Sequence, residues 1–246
     1  MQADPAVAGA VLKKANSAHY GASRKIADIQ EGITRIGFDE TRKILIGLSV
    51  IKNFDAQNRS INFTRPGFWE HSLACGILAS HIARATGMAG AAVAFVAGLL
   101  HDIGKIILDE HADSLFEKAV ELADQRQRPL HEMETEVIGF THGELGYQFV
   151  TALNLSEELC QAVRHHNLPH PEHTNMGPAA LTFVRLIACA NALAKAAGYY
   201  GAGDCILGNG PEGCPPELTL PGGFADTCRE PAAARDGRFQ DVPQHA

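Results

Sequence analysis

Twelve histidines occur in 246 residues, and several stand where an apolar pattern would bury them. His71 lies in Phe68-Trp69-Glu70-His71-Ser72. His101 and Asp102 close an apolar stretch, in Leu99-Leu100-His101-Asp102-Ile103-Gly104-Lys105. His142 falls in the first turn after Thr141, and His165 and His166 end Val163-Arg164-His165-His166-Asn167. Asn191 lies inside Ala188-Cys189-Ala190-Asn191-Ala192-Leu193. A buried imidazole or carboxylate is costly unless it is paired, hydrogen-bonded or metal-bound. Imidazoles and a carboxylate together suit Fe, Mn or Zn, and the carboxylate can bridge two ions. Any one of these histidines, taken singly, is more ordinarily a satisfied core or surface group. The adjacent pair His101–Asp102, followed by Ile-Gly-Lys, tips the balance toward a divalent-metal site. His111 and His131 flank a helix just beyond the pair and are outside candidates. His19, His81, His170, His173 and His245 lack such context and are expected on the surface.

The elements that must position these groups are helical almost throughout from Asp4 to about Ala197, with apolar residues recurring at three and four. Ile26, Ile29, Ile33 and Ile36 share a face, with Ser23 as a cap before them and Gly37 as a stop. Asp39 caps a following helix with Ile44, Leu45, Leu48 and Ile51. Pro66 opens a helix through Trp69, Leu73, Ile77 and Ala83 that ends at Gly87. The Ala91–Leu100 helix runs into His101, and Asp113 starts the next. Thr141 and Glu144 have the spacing of a capping box. Ser156 caps a helix that ends at His165–His166, and Pro178 begins an Ala-rich helix to about Ala197. No segment alternates as a strand does, and no repeat is present. The fold class expected is all-α: one helical bundle over residues 1–198, followed by an irregular or disordered Gly/Pro-rich tail over 199–246. From 201 onward that tail holds eight Gly and six Pro and is acidic.

Bulk composition narrows the function. Hydrophobic residues are 46% and charged residues 20%, as in ordinary globular chains. The net charge of −7 and the scattered Lys and Arg argue against nucleic acid as a partner. The first residues lack a basic segment followed by an apolar one, so no secretory signal is read. The apolar run from Ala89 to Leu100 is too short and too Ala/Gly-rich to span a bilayer. A cytoplasmic protein with no membrane partner is expected. Of six cysteines, Cys75, Cys160 and Cys189 sit in apolar helical stretches and are expected as reduced core thiols. Cys205, Cys214 and Cys228 fall in the tail, with no C-x-x-C pair among the six.

His71 and His101–Asp102 with Ile103-Gly104-Lys105 resemble the HD superfamily of metal-dependent phosphohydrolases. The fuller pattern resembles, more narrowly, the HDOD domain over roughly residues 4–198. It comprises Asp4-Pro5-Ala6-Val7, Leu12, Ala15 to Gly21, Ile29 to Gly37 and Phe68 to Ser72. It continues with Ala97 to Lys105, His142-Gly143-Glu144-Leu145-Gly146 and Ile187 to Leu193. The resemblance implies an HD-type helical bundle and a role in bacterial signalling. The family begins with a further helical segment that this chain reads as lacking, which implies a truncated or alternative start. By match to catalytic relatives, one metal position would use His71, His101, Asp102 and residue 191. A second would share Asp102 and use His142, His165 and His166, with Lys105 beside a bound phosphate.

Two departures stand out. Those relatives place Asp where this chain has Asn191, and Asn offers a carbonyl oxygen without charge. The two-metal cyclic-dinucleotide phosphodiesterases also carry a Glu at the position of Gly67 and a Gly-Tyr-Pro segment where this chain reads Asn167-Leu168-Pro169-His170-Pro171. Cyclic-di-GMP hydrolysis is therefore not expected. Two functions remain, beside a purely structural cluster held by hydrogen bonds alone. One is a non-catalytic regulatory module, with any metal structural or sensory, that binds a signalling protein or a small phosphorylated ligand. The other is a metal-dependent phosphohydrolase of nucleotides or phosphodiesters, with Asp102 and Lys105 as its catalytic residues.

Overall fold

A computed structural model of the chain describes residues 12, 14–16, 26, 28–37, 41, 63–88, 90–167, 175–199 and 203. Its contacts divide it into two units, Met1–Asp55 with Pro231–Ala246, and Ala56–Glu230. The expected helix between Asp39 and Ile51 lies outside the described residues except for Thr41. So do the tail apart from Tyr199 and Gly203, its three cysteines, and His19, His170, His173 and His245. The described residues are helical with no strand among them.

In the first unit, α1 spans Ile29–Ile36. Its cap is Asp28, whose carboxylate accepts from the Glu31 amide, and not Ser23 as the sequence suggests. Ile26 precedes the helix and is held by Asn16. The Asn16 amide donates to the Leu12 and Ile26 carbonyls and its oxygen accepts from the Ile26 amide, at 2.7–2.9 Å. That non-helical bond is why the isoleucine spacing overestimates the helix. Gly37 ends α1 with φ of 85°, a conformation that glycine adopts without strain. Ala15, Ile26 and Ile36 form a small core with Leu12 and Ile33 against it.

The second unit is a helical bundle. It comprises α2 (Arg65–Ala85), α3 (Ala91–Leu100), α4 (Ile103–His111), α5 (Asp113–Arg126), α6 (Leu130–Val137), α7 (His142–Ala152), α8 (Glu157–His165) and α9 (Pro178–Ala196). Thr64 caps α2 with Pro66 in its first turn, and Pro178 does the same for α9. The Thr141–Glu144 capping box of α7 is fully formed. Asp113 is the first residue of α5, after Ala112 at the cap. Two short helices, α4 and α6, go unread in the sequence.

Phe63 packs edge-on against Phe116 and at a tilt against Phe68 in the core. Arg65 at the start of α2 and Asp109 near the end of α4 form a buried ion pair at 2.7–2.8 Å. Cys75 and Cys160 are free buried thiols as expected. Cys189 is not: it is disulfide-bonded. Sequence spacing carries no information on which thiol meets another across the fold.

Two stretches, Ala91–His111 and Pro178–Ala196, are apolar and long enough to cross a membrane by length and composition. The turn at His101–Asp102 interrupts the first. Of their most apolar windows, 72% and 56% are buried within the bundle, so each is accounted for as a core helix.

Close approach of the helices depends on glycine. A Cβ on Gly98 of α3 would stand 2.7 Å from the Gly76 Cα on α2. A Cβ on Gly104 of α4 would run into the His142 carbonyl oxygen at the start of α7. By helix propensity alone, Gly104→Ala would stabilise α4 by about 0.5–1 kcal/mol. The packing predicts the reverse, a loss of about 1–3 kcal/mol or more from overpacking against backbone. Thermal unfolding of Gly104→Ala decides the sign, and a raised Tm would refute the packing argument.

Candidate metal centre

The bundle brings four of the sequence-predicted histidines around one carboxylate, that of Asp102. His71 projects from the second turn of α2. His101 ends α3, and Asp102 is the residue at the start of α4. His142 is the first residue of α7, and His166 follows the last residue of α8. None of these side chains, nor that of Lys105, is more than 3% exposed.

Each imidazole uses Nδ1 to donate outward. His71 donates to the Tyr199 carbonyl at 2.9 Å, and His101 to the Gly98 carbonyl at 2.7 Å. His166 donates to the Val163 carbonyl at 2.9 Å, and His142 to the Glu134 carboxylate at 2.6 Å. These partners can only accept, so they assign the Nδ1 proton in all four rings. The four Nε2 atoms then converge on Asp102. Oδ2 is 3.3 Å from His101 and 3.7 Å from His71, whose two Nε2 atoms are 3.3 Å apart. Oδ1 is 3.3 Å from both His142 and His166. The result is two groups of three donors, His71–His101–Asp102 and Asp102–His142–His166, one on each carboxylate oxygen.

Such a set is rich in lone pairs and requires positive charge. Lys105 supplies some, its ammonium lying 2.8 Å from Asp102 Oδ2. Burial opposes charge on His101, but the Asp102 carboxylate outweighs it and raises the imidazole to about 10. Burial lowers His71 to about 3, with the His101 charge acting the same way. Burial also lowers His166 to about 3. Asp102 is disfavoured as an anion by burial, yet His101 and Lys105 hold it well below the usual carboxylate range. Burial opposes protonation of His142, but Glu134 outweighs it and shifts the ring up.

A pair of divalent ions sharing Asp102 would answer the same need. The donor set fits. It has neutral-capable imidazole nitrogens facing inward, a bridging carboxylate, and a second layer of acceptors that fixes every ring. Asn191, on α9, adds an orphan. It is buried, and its Oδ1 meets no hydrogen-bond donor among the described residues. An acceptor left so is costly in the absence of a cation.

His165 stands apart from the cluster. It is half-buried on α8 beside Glu157, Gln161, Asn175 and Met176. Adjacent helix residues point about 100° apart, so His166 alone faces inward. The outside candidate His111 is exposed, as is His81. Sequence reading missed Glu134 and Asn167. Glu134 is fully buried on α6 and also accepts from the His142 amide at 2.8 Å. Asn167 Nδ2 lies 2.8 Å from both His142 Nε2 and His166 Nε2. The available signal for Glu134 was an acid beside Met133 in a short amphipathic segment.

Glu134→Gln keeps the shape but removes the charge that orients His142. The expected result is about a 10- to 100-fold loss of metal affinity with the fold intact. Calorimetric titration with Mn²⁺, alongside circular dichroism, measures both. An unaltered affinity would rule out Glu134 as the orienting group.

Comparison with known proteins places this geometry among relatives. A model of the HDOD domain family matches residues 1–169. An uncharacterized protein of Treponema pallidum (strain Nichols) is 28% identical over 172 residues, 68% of this chain and 32% of the relative. An HDOD domain protein of unknown function from Geobacter sulfurreducens superposes with a TM-score of 0.66 at 27% identity, over 76% of this chain and 61% of that one. A Shewanella amazonensis SB2B protein, provisionally assigned as a phosphohydrolase, gives 0.62 at 22% identity, over 78% and 65%. A Marinobacter aquaeolei VT8 protein, provisionally assigned to signal transduction, gives 0.68 at 20% identity, over 92% and 48%. The chain thus spans about a third of the curated relative and less than two thirds of each of these structures.

Proposed function

The chain belongs to the HDOD domain family, and on that footing we propose that it is a non-catalytic regulatory module of bacterial signal transduction whose His/Asp cluster holds divalent metal. The observation that carries this reading is enclosure. Every inward-facing donor of the cluster is at most 3% exposed, and Lys105 and Asn167 already engage its lone pairs. Hydrolysis requires a phosphoester and a water at the metal, and no described donor faces solvent. Metal held there would brace five helix ends and answer the charge of the cluster.

The metal would be Fe, Mn or Zn, to which imidazole and carboxylate are both suited. Asn191 in place of an acid lowers the anionic charge available to it. The partner would be a signalling protein or a small phosphorylated ligand that recognises the outer surface of the bundle. The signal-transduction assignment of the Marinobacter aquaeolei neighbour agrees with such a role.

A phosphohydrolase is the second reading, and the intact donor set with Lys105 at its edge is what favours it. Asp102 would bridge the metals and Lys105 would stabilise phosphoryl charge.

Protein purified without chelator decides between them. The expected outcome is stoichiometric Fe, Mn or Zn by mass spectrometry and no turnover on a panel of phosphomonoesters, phosphodiesters and nucleotides. Asp102→Ala should abolish metal retention and lower Tm. Turnover by the wild type that Asp102→Ala removes would establish the enzyme instead. Protein that retains no metal, even after loading with Fe or Mn, would refute the metal in both readings.

A further inference from the structure

Asn167 is the first residue beyond His166 and is only partly buried, unlike the histidines it touches. Its side-chain nitrogen stands 2.8 Å from His142 Nε2 and 2.8 Å from His166 Nε2. Both rings have committed Nδ1–H elsewhere, to Glu134 and to the Val163 carbonyl, so in the neutral form that a metal requires each Nε2 presents a lone pair. Only the NH₂ end of an amide can satisfy two acceptors at once, which fixes the orientation of Asn167. Its two N–H groups fork between the rings. A neutral donor therefore occupies the attraction that a cation would otherwise exploit in the Asp102–His142–His166 group.

We infer that Asn167 is a built-in competitor of metal at this half of the cluster, and so lowers the affinity of that half. The inference rests on the metal-binding reading above. An ion taken up by His142 and His166 needs the same two lone pairs that the amide uses. The amide must therefore leave as the ion enters. The hydrogen bonds of the Asn167 amide nitrogen go to His142 and His166, not to His71 or His101. The two halves are coupled through the Asp102 they share, but the amide competes directly only at the half it bridges, whose metal threshold it raises.

Removing the competitor should tighten binding. Two net hydrogen bonds lost from the metal-free state predict a Kd for this half lower by about tenfold. The test is calorimetric titration of chelator-stripped protein with Mn²⁺, for the wild type, Asn167→Ala, Asn167→Ser and His142→Ala. Serine is polar but too short to bridge both rings, and gives a second chance should alanine fail to fold. The His142→Ala variant identifies the guarded half as the binding event that it removes. Both Asn167 variants should tighten that event about tenfold, with a smaller change in the other transmitted through the shared Asp102.

An unchanged affinity for that event overturns the inference. A weakened one also overturns it, and would make the amide oxygen a ligand. If the wild type and both Asn167 variants take up no Mn²⁺ at all while remaining folded, the underlying metal reading fails. That outcome is distinct from a wild type that binds metal and Asn167 variants that bind it no better.

Discussion

A single carboxylate with four imidazole nitrogens aimed at it organises the second unit of this chain. Asp102 receives His71 and His101 on one oxygen and His142 and His166 on the other, and these four residues come from four different helices. An anion so deep in a protein is tolerated only with close positive charge. Lys105 and His101 provide it in the structure described. The helices around the cluster are thereby constrained at their ends, where a small shift would separate a ligand from the carboxylate. Packing at bare glycine backbone, between α2 and α3 and between α4 and α7, is the complementary constraint that lets those ends come close.

The polar site and the apolar core are consequently parts of one arrangement. α3 is apolar on nearly every face and is buried as such, yet it terminates in His101. The ion pair between Arg65 and Asp109 joins the start of α2 to the end of α4, flanking the stretch in which His71, Asp102 and Lys105 meet. Lys105 itself is inward-facing, although lysine is seldom fully buried without a partner.

Much of this was legible from residue types and spacing. Polar residues flanked by apolar ones at helix ends identified His71, His101, Asp102, His142 and His166, and capping and proline signals marked most helix starts. Other features depended on tertiary placement. Nothing in the pair His165–His166 says which ring faces inward until the rotation of α8 is known. Glu134 sits on a helix of two turns whose short apolar pattern is too weak to detect. Asn167 had been read only as part of a segment departing from that of the cyclic-dinucleotide phosphodiesterases, and its bridging amide is a matter of geometry. Ser23 lost its expected role because Asn16 binds Ile26 in a non-helical form, an interaction across ten residues. Cys189 pairs with another cysteine, as spacing alone did not indicate.

His101 and His166 share a local device. Each ring donates Nδ1–H to the carbonyl three residues earlier, in the last turn of its own helix, where carbonyls lack partners within the helix. Each histidine therefore finishes a helix at the same time as it aims a nitrogen at Asp102. Substitution at either position would fray a helix end whatever the cluster binds. Helix termination and the approach to Asp102 draw on opposite nitrogens of one ring, so the two demands do not compete.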